Sequence, residues 1–323
     1  MKTVSIISSP LQLLSFKEFI YHKKINDYYL IILYYYDNEF SQINNLAIFY
    51  NININLVIKG KKFFQYIKLK GLKSSLLNCD NLILGNFFSD PHLYLSNQLK
   101  PKQIYVLDDG MNTLLIHDKL KNNKKILSSN LVRDLIFLIF RIKTDYPKRF
   151  ILFSFFNNEI NKEINCIPNN LVFTRQIISN TKISDNSYFI GQPLVELGIM
   201  NIDQYIRYIE VIKNTYGNII YIPSRKENKN KIKKLVSKVD VKIFYPEVNI
   251  EMYFLLNKLV PKLVISFTST ALILIQKIFN SNAKLVSLKS IYFKLSDKRF
   301  NSNTYEKYYT LFKKNKIEIL RLN

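Results

Sequence analysis

The sequence contains little glycine, few cysteines and histidines, and no tryptophan, and each shortage excludes a class of protein. Its 323 residues include 7 Gly, 9 Pro, 2 Cys and 3 His. So little glycine and proline excludes collagen-like and linker-rich chains. Cys79 and Cys166 form neither a disulfide framework nor a CxxC metal site, so we expect two buried free thiols in a reducing cytosol. The histidines lack HExxH or comparable spacing, so a metal-independent protein is predicted.

Long hydrophobic segments are also missing. No run of about 18 uncharged apolar residues occurs, so no transmembrane helix is expected. The first residues lead directly into a strand-like segment, without a signal peptide and its cleavage site. Together these observations predict a cytoplasmic location.

Acidic residues are scarce: the formal net charge is +23, from 47 basic and 24 acidic residues. Few of the basic residues are arginine, and the abundance of Lys, Asn, Ile and Tyr indicates AT-rich codon usage, so the size of the charge says little. Its sign favours contact with anionic membranes, nucleotides or nucleic acid. A nucleic-acid-binding module clusters Arg and Lys with aromatic residues on one face. These lysines are scattered instead, so we predict no nucleic-acid partner.

Short apolar runs alternate with amphipathic stretches, which is typical of α/β proteins with doubly wound parallel sheets. Strands are predicted at residues 4–8, 29–33, 54–58, 81–84, 103–107, 171–173, 188–190, 219–222, 241–244, 263–267 and 284–288. Helices are predicted at residues 11–21, 202–215, 226–238, 250–259 and 270–280. The length suits two domains. We place them at residues 1–160 and 161–323, since residues 119–170 show no clear alternation.

Polar clusters follow several predicted strands, at the edge where open α/β sheets bind ligands. Ser9 and Gln12 begin a helix whose N-terminus can hold an anion, although Ser9 acting as an ordinary N-cap is the alternative. Asp108, Asp109 and Gly110 follow a buried strand. Adjacent carboxylates repel each other, which suits one of them to act as a general base. A plain acidic turn is the alternative.

Two further clusters contain Gly, Pro and charged residues. Gly191 ends one predicted strand, and Glu196 follows in the same turn. Pro223, Ser224 and Arg225 follow another strand. In a chain that prefers lysine, an arginine suggests a demand for its planar fork, which suits phosphate or carboxylate recognition. Ordinary turns with a solvated Glu or Arg are the alternative.

The last cluster is rich in hydroxyl groups. Ser266, Thr268, Ser269 and Thr270 lie between a strand and a helix, where hydroxyls and free backbone amides can hold a phosphate without glycine. Glu251, at the start of the preceding helix, could accept hydrogen bonds from a ribose. Capping roles are the alternative here too.

In this order, the clusters resemble glycosyltransferase family 52, which includes bacterial sialyltransferases acting on lipooligosaccharide and capsule. The matching segments are Ser-Pro-Leu-Gln at 9–12, Leu-Asp-Asp-Gly at 107–110, Gly-Gln-Pro-Leu at 191–194, Tyr-Ile-Pro-Ser-Arg-Lys-Glu at 221–227 and Ser-Phe-Thr-Ser-Thr-Ala-Leu at 266–272. The resemblance spans about residues 1–290. It implies a GT-B fold, with two Rossmann-like domains and an interdomain cleft. The first domain would carry the acceptor and base, and the second the nucleotide-sugar donor.

The resemblance also implies an inverting, metal-independent transfer of sialic acid from CMP-sialic acid to a galactoside, with no cofactor beyond the donor. Asp108 or Asp109 would be the base, and Glu196 is a competing candidate. Glu251 would contact the ribose. The remaining donor-site candidates are Ser9, Gln12, Gly191, Pro223, Ser266, Thr268, Ser269 and Thr270.

One position departs from the family pattern. Ser224 stands where the sialyltransferase members are expected to have a histidine that assists departure of the CMP phosphate, and serine is a poor proton donor near neutral pH. Either Arg225 offsets the leaving-group charge, or the donor carries another sugar. An inactive structural partner of a glycan-assembly complex is a further alternative.

The expected partners are a nucleotide sugar, an oligosaccharide or lipid-linked glycan acceptor, and the anionic inner face of the cytoplasmic membrane. Residues 119–156 combine lysines with aromatic residues. We expect them to form a membrane contact or a homodimer surface, with core packing as the alternative.

Overall fold

The computed structural model describes residues 2–72, 76, 78–121, 137–138, 141–280, 282–293, 296–297 and 300–322. The chain forms two compact units, which divide between Gln176 and Ile177. This division lies after the predicted boundary at 160/161, because a last strand and most of a helix, within residues 166–176, belong to the first unit.

The first unit contains a seven-stranded parallel sheet in the order β3-β2-β1-β4-β5-β6-β7. Its strands are β1 (Thr3–Ile7), β2 (Tyr29–Tyr34), β3 (Leu56–Lys59), β4 (Asn81–Leu84), β5 (Gln103–Leu107), β6 (Ile151–Ser154) and β7 (Cys166–Pro168). Its helices are α1 (Pro10–Lys23), α2 (Asp37–Tyr50), α3 (Lys62–Gly71), α4 (Asp90–Leu99), α5 (Ile116–Lys121) and α6 (Val172–Ile177), with a 3-10 turn at Asn112–Leu115.

The second unit contains a six-stranded parallel sheet in the order β10-β9-β8-β11-β12-β15. Its strands are β8 (Lys182–Ile190), β9 (Ile219–Ile222), β10 (Lys242–Ile243), β11 (Leu259–Ser266), β12 (Lys284–Ser290) and β15 (Glu318–Leu322), beside the short antiparallel pair β13 (Ser296–Asp297) and β14 (Phe300–Asn301). Its helices are α7 (Ile202–Tyr216), α8 (Lys229–Val239), α9 (Ile250–Leu256), α10 (Ala271–Phe279) and α11 (Ser302–Lys314).

Central strands of both sheets are buried because they are continuous apolar runs covered on both faces. All five residues of β1 and all four of β4 are buried. Ile6 pairs with Ile31 on one side and with Leu84 on the other. In each sheet, the first strand lies between the second and the fourth, so the strand order reverses there. Each unit therefore has the topological switch point at which doubly wound sheets bind ligands.

The structure corrects the strand predicted at residues 171–173, where α6 begins instead. The carboxylate of Glu18 on α1 accepts hydrogen bonds from the backbone N–H groups of Phe173 and Thr174, at 3.1 and 2.6 Å. These contacts satisfy free donors of the first helical turn. Because the acceptor lies far away in the sequence, the local pattern could not reveal the helix.

The sequence predicted no transmembrane helix, no metal site and two buried thiols, and the structure bears on each of these. Among the described residues, no helix is long and apolar enough to cross a membrane, and no group of three His, Cys, Asp or Glu side chains could hold a metal ion. Cys79 is a buried free thiol as predicted, whereas Cys166 is only half-buried. Within the predicted contact segment 119–156, residues 122–136 and 139–140 lie outside the described part of the chain.

Candidate functional site

Asp109 is the second residue after β5, and amide groups from the segments that follow β1 and β4, the strands at the switch point of the first unit, hold its carboxylate. Gln12 Nε2 donates to Oδ1 at 2.7 Å, and Asn86 Nδ2 donates to Oδ2 at 2.8 Å. Asn112 Nδ2 adds a third contact to Oδ2 at 3.1 Å. The Asp109 backbone N–H donates to Thr113 Oγ1 at 2.9 Å. The half-buried carboxylate is thus held in one orientation by neutral donors, as a general base requires.

Gln12 connects this carboxylate to the end of β1. The side chain is buried, and its Oε1 accepts from the Ser8 backbone N–H at 2.8 Å. Ser9 caps α1, since its hydroxyl accepts from the Gln12 backbone N–H at 3.3 Å. Gln12 therefore orients Asp109. A Cβ on Gly85, after β4, would lie 2.3 Å from Gln12 Oε1, so this position needs glycine for close approach.

The backbone of Asn86 is fixed by a hydrogen bond to a fully buried histidine, His92. The Asn86 backbone N–H donates to His92 Nδ1 at 3.1 Å, so His92 accepts there as a neutral imidazole. Burial lowers the pKa of His92 to about 3. Its Nε2 has no hydrogen-bond partner among the described residues. His92, Asn86 and Asp109 thus form a chain from the core to the sheet edge.

Asp108, the neighbour of Asp109, lies in the core instead. It is fully buried, and its carboxylate accepts from Ser154 Oγ and, at 2.9 Å, from the Phe155 backbone N–H. These contacts join the end of β5 to the loop after β6. The geometry therefore favours Asp109 over Asp108 as the base.

In the second unit, Gln192 and Thr268 meet at the switch point between β8 and β11. Gln192 Oε1 accepts from the Thr268 backbone N–H at 2.7 Å, and its Nε2 lies 3.4 Å from Thr268 Oγ1. Ser266 is fully buried and donates to the Ile190 carbonyl at 2.8 Å. Two of the predicted hydroxyl residues, Ser266 and Thr268, are thus engaged within the fold.

Ser269 and Thr270 occupy the start of α10 and reach the surface. Ser269 is half-buried, and its hydroxyl accepts from the Ala271 backbone N–H at 3.3 Å. Thr270 is exposed and makes no capping hydrogen bond. The first backbone N–H groups of a helix attract anions. This end of α10 is the part of the hydroxyl cluster that can receive a phosphate.

The loop after β9 brings together Arg225 and Glu251, which are far apart in the sequence. Arg225 is exposed and donates to Asn249 Oδ1 at 3.2 Å, beside the start of α9. Burial raises the pKa of Glu251, and the charge of Arg225 partly opposes this rise. Pro223 and Ser224 form the start of the same loop.

The buried ion pair of Glu227 and Lys231 holds the loop after β9 through a backbone hydrogen bond. The Ser224 backbone N–H donates to Glu227 Oε2 at 2.5 Å, and Glu227 Oε1 lies 2.6 Å from Lys231 Nζ. Burial raises the pKa of Glu227, and Lys231 opposes the rise. A Cβ on Gly191 would lie 2.3 Å from Glu227 Oε2, so only glycine fits there.

Glu196, the competing base candidate, contacts the same lysine, Lys231. Its Oε1 accepts from the Asn228 backbone N–H at 2.8 Å, at the start of α8, and its Oε2 lies 3.6 Å from Lys231 Nζ. Both oxygens are thus engaged in positioning α8 and its lysine.

Sequence reasoning missed Asn86, His92 and Gln192's contact with Thr268. Residues 81–84 were predicted as a strand, so the polar Gly-Asn pair immediately after it was the available signal for Asn86. His92 carried no motif, since its role depends on a contact across a turn.

No protein-family model and no curated protein matches this chain. Among solved structures, it is similar to a putative UDP-N-acetylglucosamine 2-epimerase from Listeria monocytogenes, with a TM-score of 0.52, 8% identity, and coverage of 90% of this chain and 79% of that one. The UDP-GlcNAc 2-epimerase from Neisseria meningitidis, solved with UDP-GlcNAc, gives a TM-score of 0.51 at 11% identity, covering 84% and 79%. The E. coli heptosyltransferase WaaC with ADP gives a TM-score of 0.46 at 11% identity, covering 100% and 94%.

These similarities concern the fold. Two Rossmann-like units with parallel sheets confirm the predicted α/β class and the GT-B architecture.

Proposed function

We propose that the protein is an inverting, metal-independent glycosyltransferase that uses a nucleotide sugar and acts in the synthesis of bacterial surface glycan. The observation that carries this proposal is the Asp109 carboxylate, held at the switch point by Gln12, Asn86 and Asn112. A fixed carboxylate at the edge of a doubly wound sheet suits the activation of an acceptor hydroxyl.

In the proposed reaction, Asp109 takes the proton of the acceptor hydroxyl while that oxygen attacks the anomeric carbon of the donor. The bond from the anomeric carbon to the phosphate oxygen breaks, and the nucleotide leaves with the electron pair. Its negative charge would be stabilised by the start of α10, with Ser269 and Thr270, and by Arg225. Glu251 would accept hydrogen bonds from the ribose.

The first donor candidate is CMP-sialic acid, with a galactoside as acceptor, because of the resemblance to family 52. Ser224 cannot replace a histidine as a proton donor, so departure of the nucleotide would depend on Arg225 and on the α10 N-terminus. Another nucleotide sugar is the alternative donor, and the similar Neisseria protein binds UDP-GlcNAc. We also propose peripheral attachment to the inner membrane surface, where a lipid-linked acceptor would be found.

The test is nucleotide release by the purified protein, with CMP-sialic acid, UDP-sugars, GDP-sugars and ADP-sugars offered beside galactosides and lipooligosaccharide. We expect acceptor-dependent release with one donor, unchanged by EDTA and lowered by a factor of about 10² to 10⁴ in Asp109→Asn. Epimerisation of UDP-GlcNAc without an acceptor would contradict the proposal. Absence of turnover with every donor, in a folded protein, would favour the inactive structural partner.

A further inference from the structure

Helix α3 exposes apolar side chains where a helix on a protein surface normally exposes polar ones. Tyr66 and Leu69 are buried, whereas Phe64 and Ile67 are 60% and 49% exposed. With about 100° between successive residues, Phe64 and Ile67 fall about 60° apart on the solvent side. They therefore form one apolar ridge.

Lysines flank this ridge on both sides. Lys61 and Lys68 are exposed beside Phe64, and Lys70 is exposed beyond Ile67. We call the set of Phe64, Ile67, Lys61, Lys68 and Lys70 the α3 face. No acidic residue occurs in the sequence between Glu39 and Asp80. The positive charge of the α3 face is therefore not balanced by its neighbours in the sequence.

A second segment extends the α3 face. The Phe137 ring packs on Tyr66, with 5.5 Å between ring centroids, and the next residue, Leu138, is 76% exposed. The chain then turns back, since the Ile142 backbone N–H donates to the Phe137 carbonyl at 2.8 Å. Arg141 and Lys143 are exposed on either side of the buried Ile142.

Isolated exposed apolar residues are ordinary on protein surfaces. Here three of them lie on two neighbouring segments and are accompanied by five cations. Apolar side chains surrounded by Lys and Arg are typical of helices that lie in the interface of an anionic bilayer. A second copy of the chain fits less well, since a two-fold contact would bring the same cations against each other.

We propose that the α3 face, extended by Leu138, Arg141 and Lys143, docks on the anionic glycerophospholipids of a bilayer. Phe64, Ile67 and Leu138 enter the boundary between headgroups and acyl chains, and the cations contact the phosphates. The α3 face would be the site of the membrane attachment proposed above. This docking proposal does not depend on the identity of the donor sugar.

The first test is co-sedimentation of the full chain with vesicles of phosphatidylglycerol and phosphatidylethanolamine, beside phosphatidylcholine vesicles. We expect binding to the anionic vesicles only, weakening as salt rises. The double variant Phe64→Ser, Ile67→Ser should bind at least about tenfold more weakly. The matched control is Ile48→Ser, because Ile48 on α2 is 72% exposed and α2 contains no Lys or Arg. It should bind as the original chain does.

The absence of tryptophan from the sequence allows a second test. Phe64→Trp introduces a single indole into the α3 face, and Ile48→Trp introduces one into α2. Anionic vesicles should shift the emission of Phe64→Trp to shorter wavelength and leave that of Ile48→Trp unchanged, because only the former indole enters an apolar environment.

Three results would overturn the proposal: no binding to anionic vesicles at low salt, equal binding by the double variant and the original chain, or equal emission shifts at both positions. A dimer that the double variant loses, without any vesicle binding, would assign the surface to a second copy instead. Far-UV circular dichroism checks that the variants fold. Turnover of a water-soluble acceptor reports on the proposed activity separately, and we expect the double variant to retain it.

Discussion

Two neighbouring aspartates, Asp108 and Asp109, have opposite environments, and this difference decides which of them we propose as the base. Successive side chains at the end of a strand point to opposite sides. Asp108 enters the core and binds Ser154 and the Phe155 backbone, whereas Asp109 remains half-buried at the sheet edge. The sequence presented them as an equivalent pair.

Substitution of each aspartate should therefore affect a different property. Asp109→Asn removes the proposed base, so we expect transfer to fall by a factor of about 10² to 10⁴ with the fold retained. Asp108→Ala leaves the Ser154 hydroxyl and the Phe155 N–H without their acceptor, which costs about 1–3 kcal/mol for each unsatisfied group. Urea unfolding and a transfer assay on both variants check this. Full activity in Asp109→Asn would remove Asp109 as the base.

His92 predicts a dependence of stability on pH. Its pKa in the folded protein is about 3 because it is buried, below the unfolded value of about 6.5. The unfolded chain therefore binds the proton more readily, and stability is lost as pH falls below about 6.5. Between pH 7 and 5 this one residue should reduce the free energy of unfolding by about 2 kcal/mol.

The comparison variant is His92→Asn, whose side-chain oxygen can accept from the Asn86 backbone N–H in place of Nδ1. Urea unfolding of both proteins at pH 7 and pH 5 isolates the contribution of His92. Equal losses of stability in the two proteins would show that the imidazole titrates freely in the folded state.

At the scale of elements, the sequence predicted the central strands well and the β6–β7 end of the first sheet poorly. Strands at residues 81–84, 103–107 and 219–222 match β4, β5 and β9, because buried parallel strands are continuous apolar runs. β6 and β7 lie among Lys, Asn and aromatic residues and have only 4 and 3 residues. Length is not the reason, since β4 and β9 also have 4 residues. The formation of β6 and β7 depends on pairing with a neighbour, which no local pattern records.

The site was predictable to a similar degree. Asp109, Gln12 and Arg225 stood out because polar residues follow buried strands. Their partners Asn86 and Asn249 did not, since these contacts join separate elements and are set by the sheet order. The resemblance to family 52 indicated the GT-B fold but not that Glu196 is tied to Asn228 and Lys231.

Substitution of Gly85, between β4 and α4, should reduce activity more than stability. In Gly85→Ala the new Cβ would lie 2.3 Å from Gln12 Oε1 and 3.0 Å from the Ile6 carbonyl. The flexible Gln12 side chain must move, so Asp109 loses the donor at 2.7 Å. We expect transfer to fall at least about tenfold, the loss of roughly one hydrogen bond to a charged group.

The control is Gly71→Ala at the end of α3, where a Cβ would meet nothing within 4 Å. Alanine there should leave transfer unchanged and stabilise the helix by about 0.5–1 kcal/mol. Equal activities of the two variants would mean that Gln12 does not orient Asp109.

At the scale of the whole molecule, two units whose first five sheet positions share one strand order hold different candidate groups. The first has a fixed carboxylate at its switch point, and the second has a helix N-terminus, hydroxyls and Arg225. The sequence predicted the base in the first unit and the nucleotide in the second, and we keep this as a proposal that the following measurement tests. Under this proposal, nucleotide binding depends on the second unit and proton transfer on the first, so variants of each unit can be measured separately for binding and for transfer.

Nucleotides should stabilise the protein through the second unit alone. A nucleotide at 100 times its Kd adds about 2.7 kcal/mol to the free energy of unfolding. We expect CMP or UDP to raise the unfolding temperature of Asp109→Asn as much as that of the original chain. The rise should be reduced in Arg225→Ala. Loss of stabilisation in Asp109→Asn with retention in Arg225→Ala would reverse the assignment.

The neutral donors around Asp109 have a consequence for the response to ionic strength. Dissolved ions screen interactions between charges that are exposed and separated, and have little effect on hydrogen bonds of 2.7–3.1 Å within a partly buried cluster. The lysines of the α3 face, in contrast, are fully accessible to counterions. If the α3 face docks on a bilayer and Asp109 is the base, as proposed, a rise in electrolyte concentration should release the protein from the bilayer and leave the Asp109 carboxylate held as before.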